Sequence, residues 1–191
     1  DYLTNDNQII YSNLNGYGIS KGASFEMRLF FKSPLKATVN ATFLDVSNYS
    51  LLDQVEWIKE QQLFAENYSV KWTVSYTHPK SKISFDYTAN LIGPMKLPIL
   101  ENDDRDEYSS AFSIQNIKLS RDFGDKINGF IGLRNFLNFT PPNYSILRAH
   151  DPFDKNIDDP IDNPNGHTFD ASYMYAPFQG INAFIGATIT F

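Results

Sequence analysis

The sequence contains no cysteine, no long apolar segment and no excess of basic residues. Without cysteine the chain can form no disulfide and can hold no metal ion through thiolates. No run of about 18 apolar residues occurs, which excludes a transmembrane helix. The 16 Lys and Arg residues are outnumbered by 22 Asp and Glu residues, so the chain lacks the basic surface with which general nucleic-acid binders neutralise phosphates. We therefore expect no nucleic-acid partner.

Motifs that carry catalysis or bind cofactors are missing as well. No phosphate-binding loop, dinucleotide fingerprint or Ser/His/Asp arrangement is recognisable. The three histidines, His78, His150 and His167, lie in predicted turns or loops without a plausible catalytic partner on a strand. We expect neither enzymatic activity nor a cofactor. The chain opens on Asp1 and Tyr2 without a secretory signal, and we expect it to be a mature form or an internal piece.

Aromatic residues make up 15% of the chain, and apolar residues alternate with polar ones over long stretches. Because a strand points successive side chains to opposite faces, this alternation predicts long strands with one apolar and one polar face. The alternating segments are residues 8–32, 35–43, 69–76, 82–91, 109–121, 127–139 and 178–191. The segment at 109–121 is the weakest, because Gln115 falls on its apolar face. Seven long strands imply an all-β fold built on an antiparallel sheet.

The connections between these strands alternate between short and long. Short turns are predicted at residues 33–34, 78–81 and 122–125, and long loops at about 48–68, 96–108 and 140–177. Short periplasmic turns and long extracellular loops are typical of transmembrane β-barrels of the outer membrane, whose apolar face meets lipid. A soluble sandwich or lipocalin-like barrel, whose apolar face looks inward, is the competing interpretation. In a transmembrane barrel, the residues expected to face lipid include Phe25, Val39, Trp72, Phe85 and Ile185.

The first long loop carries a helical pattern. Leu51, Val55 and Ile58 fall at helical spacing, and Ser50 with Asp53 makes an approximate capping box. We therefore expect a short helix within this loop.

Acidic residues cluster in the other two long loops, at residues 101–107 and 151–170. Such charge runs are ordinarily a solvated outer surface. Clustered carboxylates also suit calcium, and the weak candidates for metal ligands are Asp154, Asp158 and Asp159. The segment from Asp154 to Asp158 resembles the start of an EF-hand loop, but it lacks the glycine expected at the sixth position and the glutamate at the twelfth. Both interpretations stay open.

Four segments of the chain carry a family resemblance. The first runs from Gln8 to Glu26 and places an Asn-Gly pair and a Lys-Gly pair ahead of an alternating strand. The second segment, at 131–140, contains Asn-Phe-Leu-Asn. The third, at 151–153 and 168–180, contains Asp-Pro-Phe and later Tyr-Met-Tyr-Ala-Pro-Phe. The fourth is the terminal Phe191. In this order the segments resemble the C-terminal barrel of TonB-dependent outer-membrane receptors of the Bacteroidetes type. The family motif in the penultimate strand is Asn-Leu-Phe-Asn, so two residues are exchanged here.

The resemblance implies a barrel of about 22 strands closed by an N-terminal plug, of which residues 1–191 would form about the last seven strands. The family imports scarce, large ligands such as iron chelates, cobalamin, haem, glycans or peptides, with energy that TonB passes from the inner membrane. The implied location is the bacterial outer membrane. The implied partners are outer-membrane lipid, the rest of the barrel and its plug, TonB through the missing N-terminal part, and the barrel-insertion machinery.

Three residues receive specific roles in this interpretation. Phe191 ends a strand that follows a long loop, so it is expected on the periplasmic side, where a terminal aromatic residue serves the family as an assembly signal. Lys36 and Lys82 lie on the predicted polar face near short turns and are candidates for contact with acidic residues of the plug. No ligand-binding residue is assigned, because ligand contacts in this family come from the plug and from many loops outside the chain.

A small, self-contained eight-stranded barrel with a structural or adhesive role is the alternative. A tight hairpin turn at Asn15 and Gly16 would split the first strand and give eight strands, a number that can close. With seven strands, the first and last strands run in the same direction and cannot pair in the up-and-down pattern. In that case we expect both edges, at residues 8–32 and 178–191, to pair with strands from outside the sequence.

Overall fold

The computed structural model describes residues 13–52, 56–99, 103–150 and 153–191, which form one antiparallel β-sheet of eight strands. The strands are β1 (Gly16–Phe30), β2 (Leu35–Leu52), β3 (Glu56–Gln61), β4 (Tyr68–His78), β5 (Ile83–Ile92), β6 (Phe112–Phe123), β7 (Ile127–Arg134) and β8 (Asn182–Ile189). A 3-10 turn occupies Asn143–Ser145, and no described helix is long and apolar enough to cross a membrane. The predicted all-β, antiparallel fold is confirmed.

The longest strand, β2, pairs with three other strands. On one side β1 runs along it from Gly16, opposite Ser50, to Phe30, opposite Lys36. On its other side, residues 35–43 pair with β4 and residues 47–52 pair with β3. From β4 the sheet continues through β5, β6, β7 and β8 in chain order. Residues 47–52 of β2 therefore lie between β1 and β3, and these three strands form a unit that extends past the end of β4. We call this end of β2 its upper end.

The main sheet ends at β1 on one side and at β8 on the other. Its path contains seven strands, β1-β2-β4-β5-β6-β7-β8, and each neighbouring pair is antiparallel. The strands β1 and β8 consequently run in the same direction. Within the described part of the chain they do not pair with each other, and the sheet is open.

The pair Asn15 and Gly16 leads directly into β1. The Leu51 amide donates to the Asn15 carbonyl at 2.9 Å, and Gly16 lies opposite Ser50. Neither residue has the positive φ that a tight type I′ hairpin turn requires. The hairpin that would split the first strand is therefore not formed at this position. The predicted beginning of that strand, residues 8–12, lies outside the described residues.

Short and long connections lie at opposite ends of the sheet, as predicted. The short turns are residues 31–34, 79–82 and 124–126, and the long connections follow β2, β5 and β7. Gly124 adopts a φ of 72° in the last short turn, a conformation that glycine reaches at little cost. The Thr190 amide donates to the Lys126 carbonyl at 2.8 Å. This bond places the end of β8 beside a short turn, so the chain end lies where the alternation predicts it.

The helix predicted in the first long loop is wrong. The strand β2 continues to Leu52, and β3 follows with Trp57 opposite Leu51 and Ile58 opposite Ser50. The helical pattern concerns only neighbouring residues of the chain. The strand forms because β2 extends beyond the end of β4, so its backbone N–H and C=O groups there are available to pair with β3. Asp53 and Val55 of the predicted pattern lie outside the described residues.

The seventh strand is shorter than its apolar pattern suggests. It ends at Arg134, because Asn135 takes a φ of 48° and turns the chain away from the sheet. The Asn135 side chain then holds the loop, donating to the Phe139 carbonyl at 2.7 Å and accepting from the Phe139 amide at 3.0 Å. The Asn-Phe-Leu-Asn motif of the family resemblance is therefore a turn and not part of a strand.

The hydrophobic core lies under the long connections at one end of the sheet. Its buried centre is Met95, Phe112 and Ala176, with Ile92, Ile114, Phe139 and Tyr175 packed around it. Phe112 and Phe139 stack with ring centroids 4.8 Å apart. The described residues include no second sheet packed on the first. This core therefore fastens the long connections to the sheet and leaves most of both sheet faces open.

Candidate functional site

The five residues predicted to face lipid share one face of the sheet. In register, Val39 lies opposite Met27 of β1 and Trp72 of β4, and Met27 shares its face with Phe25 two positions earlier. Further along, Tyr76 lies opposite Phe85, and the row continues to Leu119, Ile131 and Ile185. Because directly paired residues point to the same side, the pairings place all five residues together. We call this surface the apolar face.

The apolar face is widely exposed. Ile185 is 81% exposed, Phe25 60% and Phe85 39%, while Val39 and Trp72 are partly covered by their neighbours. The exception noted in the sequence, Gln115, also lies on this face, since it is paired with Ala89. Its side chain accepts a hydrogen bond from the Tyr87 hydroxyl at 2.7 Å and donates to the Ser113 hydroxyl at 3.1 Å. Its polar groups are thus satisfied within the sheet. Contact of this face with lipid stays a prediction.

Aromatic side chains gather on the apolar face near the long connections. Tyr17 and Tyr49 are stacked with their ring centroids 5.0 Å apart, and Trp57 lies 5.2 Å from Tyr17. Register places Tyr17 opposite Tyr49 and Trp57 opposite Leu51, so all three rings belong to the apolar face. Aromatic rings of this kind mark the water boundaries of membrane barrels.

The opposite face carries a network of polar side chains. Ser75 donates to Asp86 at 2.7 Å, and the Lys118 ammonium lies 3.1 Å from the same carboxylate. Asn116 donates to the Thr88 hydroxyl at 3.3 Å. A cleft of about 430 Å³ opens above these groups, lined by Thr73, Asp86, Thr88, Lys118, Arg134 and Phe184. With two cationic side chains to one carboxylate, this cleft on the polar face is net positive.

The two residues predicted to contact a plug occupy different positions. Lys36 lies on the polar face, opposite Phe30 and Ser75, and is exposed. Lys82 is exposed too, but it belongs to the turn before β5 and adopts a φ of 51°. Its assignment to the strand was therefore wrong by one residue. Both lysines lie at the end of the sheet that carries the short turns.

A buried ion-pair cluster joins two of the long connections. The Arg105 guanidinium, 4% exposed, donates to Asp103 at 2.6 Å and to Asp170 at 2.7 Å. It also donates to the Ser145 carbonyl at 3.3 Å and lies 4.3 Å above the Tyr173 ring. Asp103 and Arg105 come from the connection after β5, while the other three come from the connection after β7. We call these five residues the Arg105 cluster.

The protonation states in the Arg105 cluster follow from its hydrogen bonds. Burial disfavours the charged form of Asp170, but hydrogen bonds from Ser172 and Arg105 outweigh it and lower the pKa of this carboxyl. Burial likewise opposes the charge on Arg105, yet Asp103 and Asp170 raise the pKa of the guanidinium. Burial raises the pKa of Tyr173 to about 12, so its hydroxyl stays protonated and donates to the Asp106 carbonyl. Arg105 and Asp170 are therefore both charged at neutral pH.

The three weak candidates for metal ligands are engaged in other contacts or dispersed. Asp154 is nearly buried and pairs with Arg148, and it also accepts from the Asn156 amide at 3.0 Å. Asp159 accepts from the amides of Ile161 and Asp162, and Asp158 is exposed. Among the described residues, no three His, Cys, Asp or Glu side chains are grouped so that they could hold a metal ion. The contacts of Asp154 belong to an ion pair and a turn, and those of Asp159 belong to a turn.

The terminal Phe191 lies beyond β8 and is fully exposed. The residue adjoins the end with the short turns, through the bond between Thr190 and Lys126. The last apolar residue of β8, Ile189, is opposite Ile127 and shares the apolar face. A receptor that recognises the strand end would therefore find the ring unobstructed by the described residues. The role of Phe191 as an assembly signal stays a prediction.

Comparisons with protein-family models, with curated proteins and with solved structures find no match for this chain.

Sequence reasoning missed the Arg105 cluster. The acidic loops were interpreted as solvated surface, yet Asp103 and Asp170 are largely buried and hold the same guanidinium. One signal was available, because Arg105 is the only basic residue in an acidic run from Glu101 to Glu107. A lone arginine among carboxylates is a natural partner for buried pairing. Its contact with Asp170, which is 65 positions away, carries no local pattern.

Proposed function

We propose that this chain forms part of the wall of a bacterial outer-membrane β-barrel, and that the barrel is a TonB-dependent importer of a scarce, large ligand. The observation that carries the first part is the exposed apolar face, which continues across all seven strands of the main sheet. The second part rests on the motif resemblance and on the positive, polar character of the opposite face. The ligand class stays as wide as the family's: iron chelates, cobalamin, haem, glycans or peptides.

The exposed apolar surface is too large for a protein dissolved in water. The large apolar side chains that are at least 38% exposed on this face are Tyr17, Phe25, Met27, Leu29, Phe43, Trp57, Tyr76, Ile83, Phe85, Leu119, Phe123, Ile127, Ile131, Ile185 and Ile189. An aromatic side chain at half exposure contributes roughly 100 Å², so the patch is on the order of 1,000 Å². Soluble monomers rarely leave apolar patches above about 600 Å². Lipid is the solvent that suits a face of this size and composition.

The open edges support a barrel larger than this chain. In hydrocarbon, every unpaired backbone group on β1 and β8 would cost several kcal/mol. The two edges run in the same direction, so they do not suit each other in an antiparallel, up-and-down wall. We infer that strands from outside residues 1–191 cover both edges, in the same polypeptide or in a separate chain. The count of about 22 strands comes from the family resemblance.

The experiment that tests the membrane assignment compares the two faces at adjacent positions. The chain has no cysteine, so Phe25→Cys and Ser24→Cys can each carry an environment-sensitive fluorophore in the native protein. We expect the label at position 25 to be quenched by a lipid-soluble quencher and the label at position 24 by a water-soluble one. Equal quenching of both labels from the water side would overturn the proposal.

The mass of the native polypeptide separates the importer from the small barrel. A polypeptide well above the 21.8 kDa of this chain, or a stable complex with a second barrel chain, is the expected result for an importer. A native, membrane-inserted protein of only this mass would support the self-contained barrel with a structural or adhesive role.

A further inference from the structure

A depression interrupts the apolar face close to the short turns, where β6, β7 and β8 lie side by side. In register, Arg121 lies opposite Gly129, and Gly129 lies opposite Ala187. The glycine has no side chain, and the Phe123 ring leans towards it, 3.2 Å from the position that a Cβ would take. The depression lies between this ring and the larger side chains of Leu119, Ile131 and Ile185.

The depression is shaped and lined for hydrocarbon. It measures about 400 Å³, and apart from Arg121 and Ser120 its lining is apolar or glycine. Leu119, Ile131 and Ile185 are each between 47% and 81% exposed, so the border stands open to whatever covers this face. A hydrocarbon chain laid here would pack against side chains on two sides, with more dispersion contacts than a flat lipid-facing wall offers.

One cation lies at the edge of this apolar site. Arg121 lies two positions from both Leu119 and Phe123 along β6, so its side chain belongs to the apolar face as theirs do. Its guanidinium lies 5.2 Å from the centroid of the Phe123 ring. Within the described residues no carboxylate pairs with it. An arginine on the lipid side of a barrel is costly at the midplane but nearly free at the interface. Its position two residues before the end of β6 puts the charge at headgroup depth.

The rim formed by the short turns is basic. Residues 31–34, 79–82 and 124–126 contain Lys32, Lys80, Lys82 and Lys126 against a single carboxylate, Asp125. The long connections at the opposite end carry most of the acidic residues. A positive rim attracts anionic lipid headgroups, whereas zwitterionic headgroups carry no net charge for it to attract. Charge complementarity therefore selects the headgroup, and the depression selects an acyl chain.

We propose that this depression binds an anionic diacyl phospholipid, with one acyl chain between the Phe123 ring and the side chains of Leu119, Ile131 and Ile185, and with the phosphate on the Arg121 guanidinium. Arginine suits this contact because its planar donors match phosphate oxygens. The inference rests on the proposed function, since it requires the apolar face to lie in a membrane. It adds a selective lipid site that a uniform lipid-facing wall does not need.

The test measures lipid retention by the native protein in detergent, with phosphatidylglycerol and phosphatidylcholine offered at equal concentration. Native mass spectrometry should show one phosphatidylglycerol held in preference to phosphatidylcholine. Arg121→Gln should reduce this preference about fivefold, the size of the contribution that one basic residue makes near an anionic surface. Gly129→Leu, which fills the depression, should reduce retention of both lipids.

Arg28→Gln is the matched control, because it removes the same charge from the polar face, where Arg28 is paired with Glu26. It should leave the lipid preference unchanged. An equal loss in Arg121→Gln and Arg28→Gln, or no preference in the unmodified protein, would overturn the proposal. If Gly129→Leu does not fold, the comparison of the two arginine variants still decides.

The labels at positions 24 and 25 keep the two proposals separate. Lipid-side quenching of the label at position 25 without any preference for phosphatidylglycerol would remove only the lipid site. Water-side quenching of both labels would remove the membrane assignment and the lipid site together.

Discussion

Replacing Arg105 by methionine should release the long connection after β7 from the one after β5. Methionine keeps much of the side-chain length but carries no charge, so Asp103 and Asp170 would be left in a largely buried place without their cation. Removing one partner of a buried ion pair costs about 3–5 kcal/mol. Of the bonds that Arg105 makes, those to Asp170 and to the Ser145 carbonyl cross between the two connections, and the bond from the Tyr173 hydroxyl to the Asp106 carbonyl remains after the substitution. Both bonds have the charged guanidinium as donor, and each contributes about 1.5–3 kcal/mol, so their sum overlaps that range.

Amide hydrogen exchange reports this release at two groups of the connection after β7, beside the place where Arg105 holds Asp170. The Leu147 amide donates to the Asp170 carbonyl at 2.9 Å, and the Asp170 amide donates to the Leu147 carbonyl at 3.1 Å. Because the connections open locally without unfolding the sheet, a loss of about 3 kcal/mol should speed exchange of both amides by about 100-fold. Amides in the middle of β5 should be unaffected. Unchanged exchange at Leu147 and Asp170 would refute the assignment of the Arg105 cluster as the link between the two connections.

Two further variants separate lost charge pairing from lost packing. Adding Asp103→Asn and Asp170→Asn to the Arg105→Met variant should recover part of the protection, because the two buried negative charges are then removed together with the cation. Lys96→Met is the control: its pair with Glu107, at 3.5 Å, is partly exposed and should contribute at most about 1 kcal/mol.

The remaining predictions concern pH, the sheet faces and the chain end. The lowered pKa of Asp170 stabilises the cluster above the ordinary carboxyl pKa, so protection of its amide should be lost as pH falls below about 4; constant protection down to pH 2 would contradict this. Phe85→Arg should destabilise the barrel by about 2–4 kcal/mol in urea titrations in lipid, whereas Ser84→Arg on the polar face should cost far less, and equal losses would contradict the face assignment. Reversing the charge of Lys36 and Lys82 together should loosen a plug and raise leakage of small solutes across the membrane, and unchanged leakage would count against that contact. Deleting Phe191 should lower the amount of folded protein in the membrane, and normal yields would refute its role in assembly.

The faces of the sheet could be predicted because they depend on a local rule. Side chains alternate along any strand, so Phe25, Trp72 and Ile185 could be assigned to one surface before their pairing was known. Directly opposite residues of antiparallel strands point to the same side of the sheet. Each row of paired side chains therefore stays on one face, as the rows through Val39 and Phe85 show.

The errors arose where distant groups decide the local conformation. Residues 56–61 form a strand because the backbone of β2 lies beside them, and the helical spacing around Ile58 contains no sign of that neighbour. The apolar pattern that continues past Arg134 gave no warning that Asn135 turns the chain away. The Arg105 cluster depends on partners from separate loops, so no window of sequence contains it.

The length of β2 has a consequence for the outline of the protein. Its 18 residues extend about 60 Å at about 3.3 Å each, and a tilt of about 45° still leaves roughly 40 Å of height. Bilayer hydrocarbon is only about 30 Å thick, but the headgroup regions bring the whole bilayer to about 40–45 Å, so in a membrane the upper end of β1, β2 and β3 would lie among the headgroups. The stacked rings of Tyr17 and Tyr49 lie near this end. In the proposed barrel these rings would lie at headgroup depth, where aromatic side chains anchor the wall of a membrane barrel.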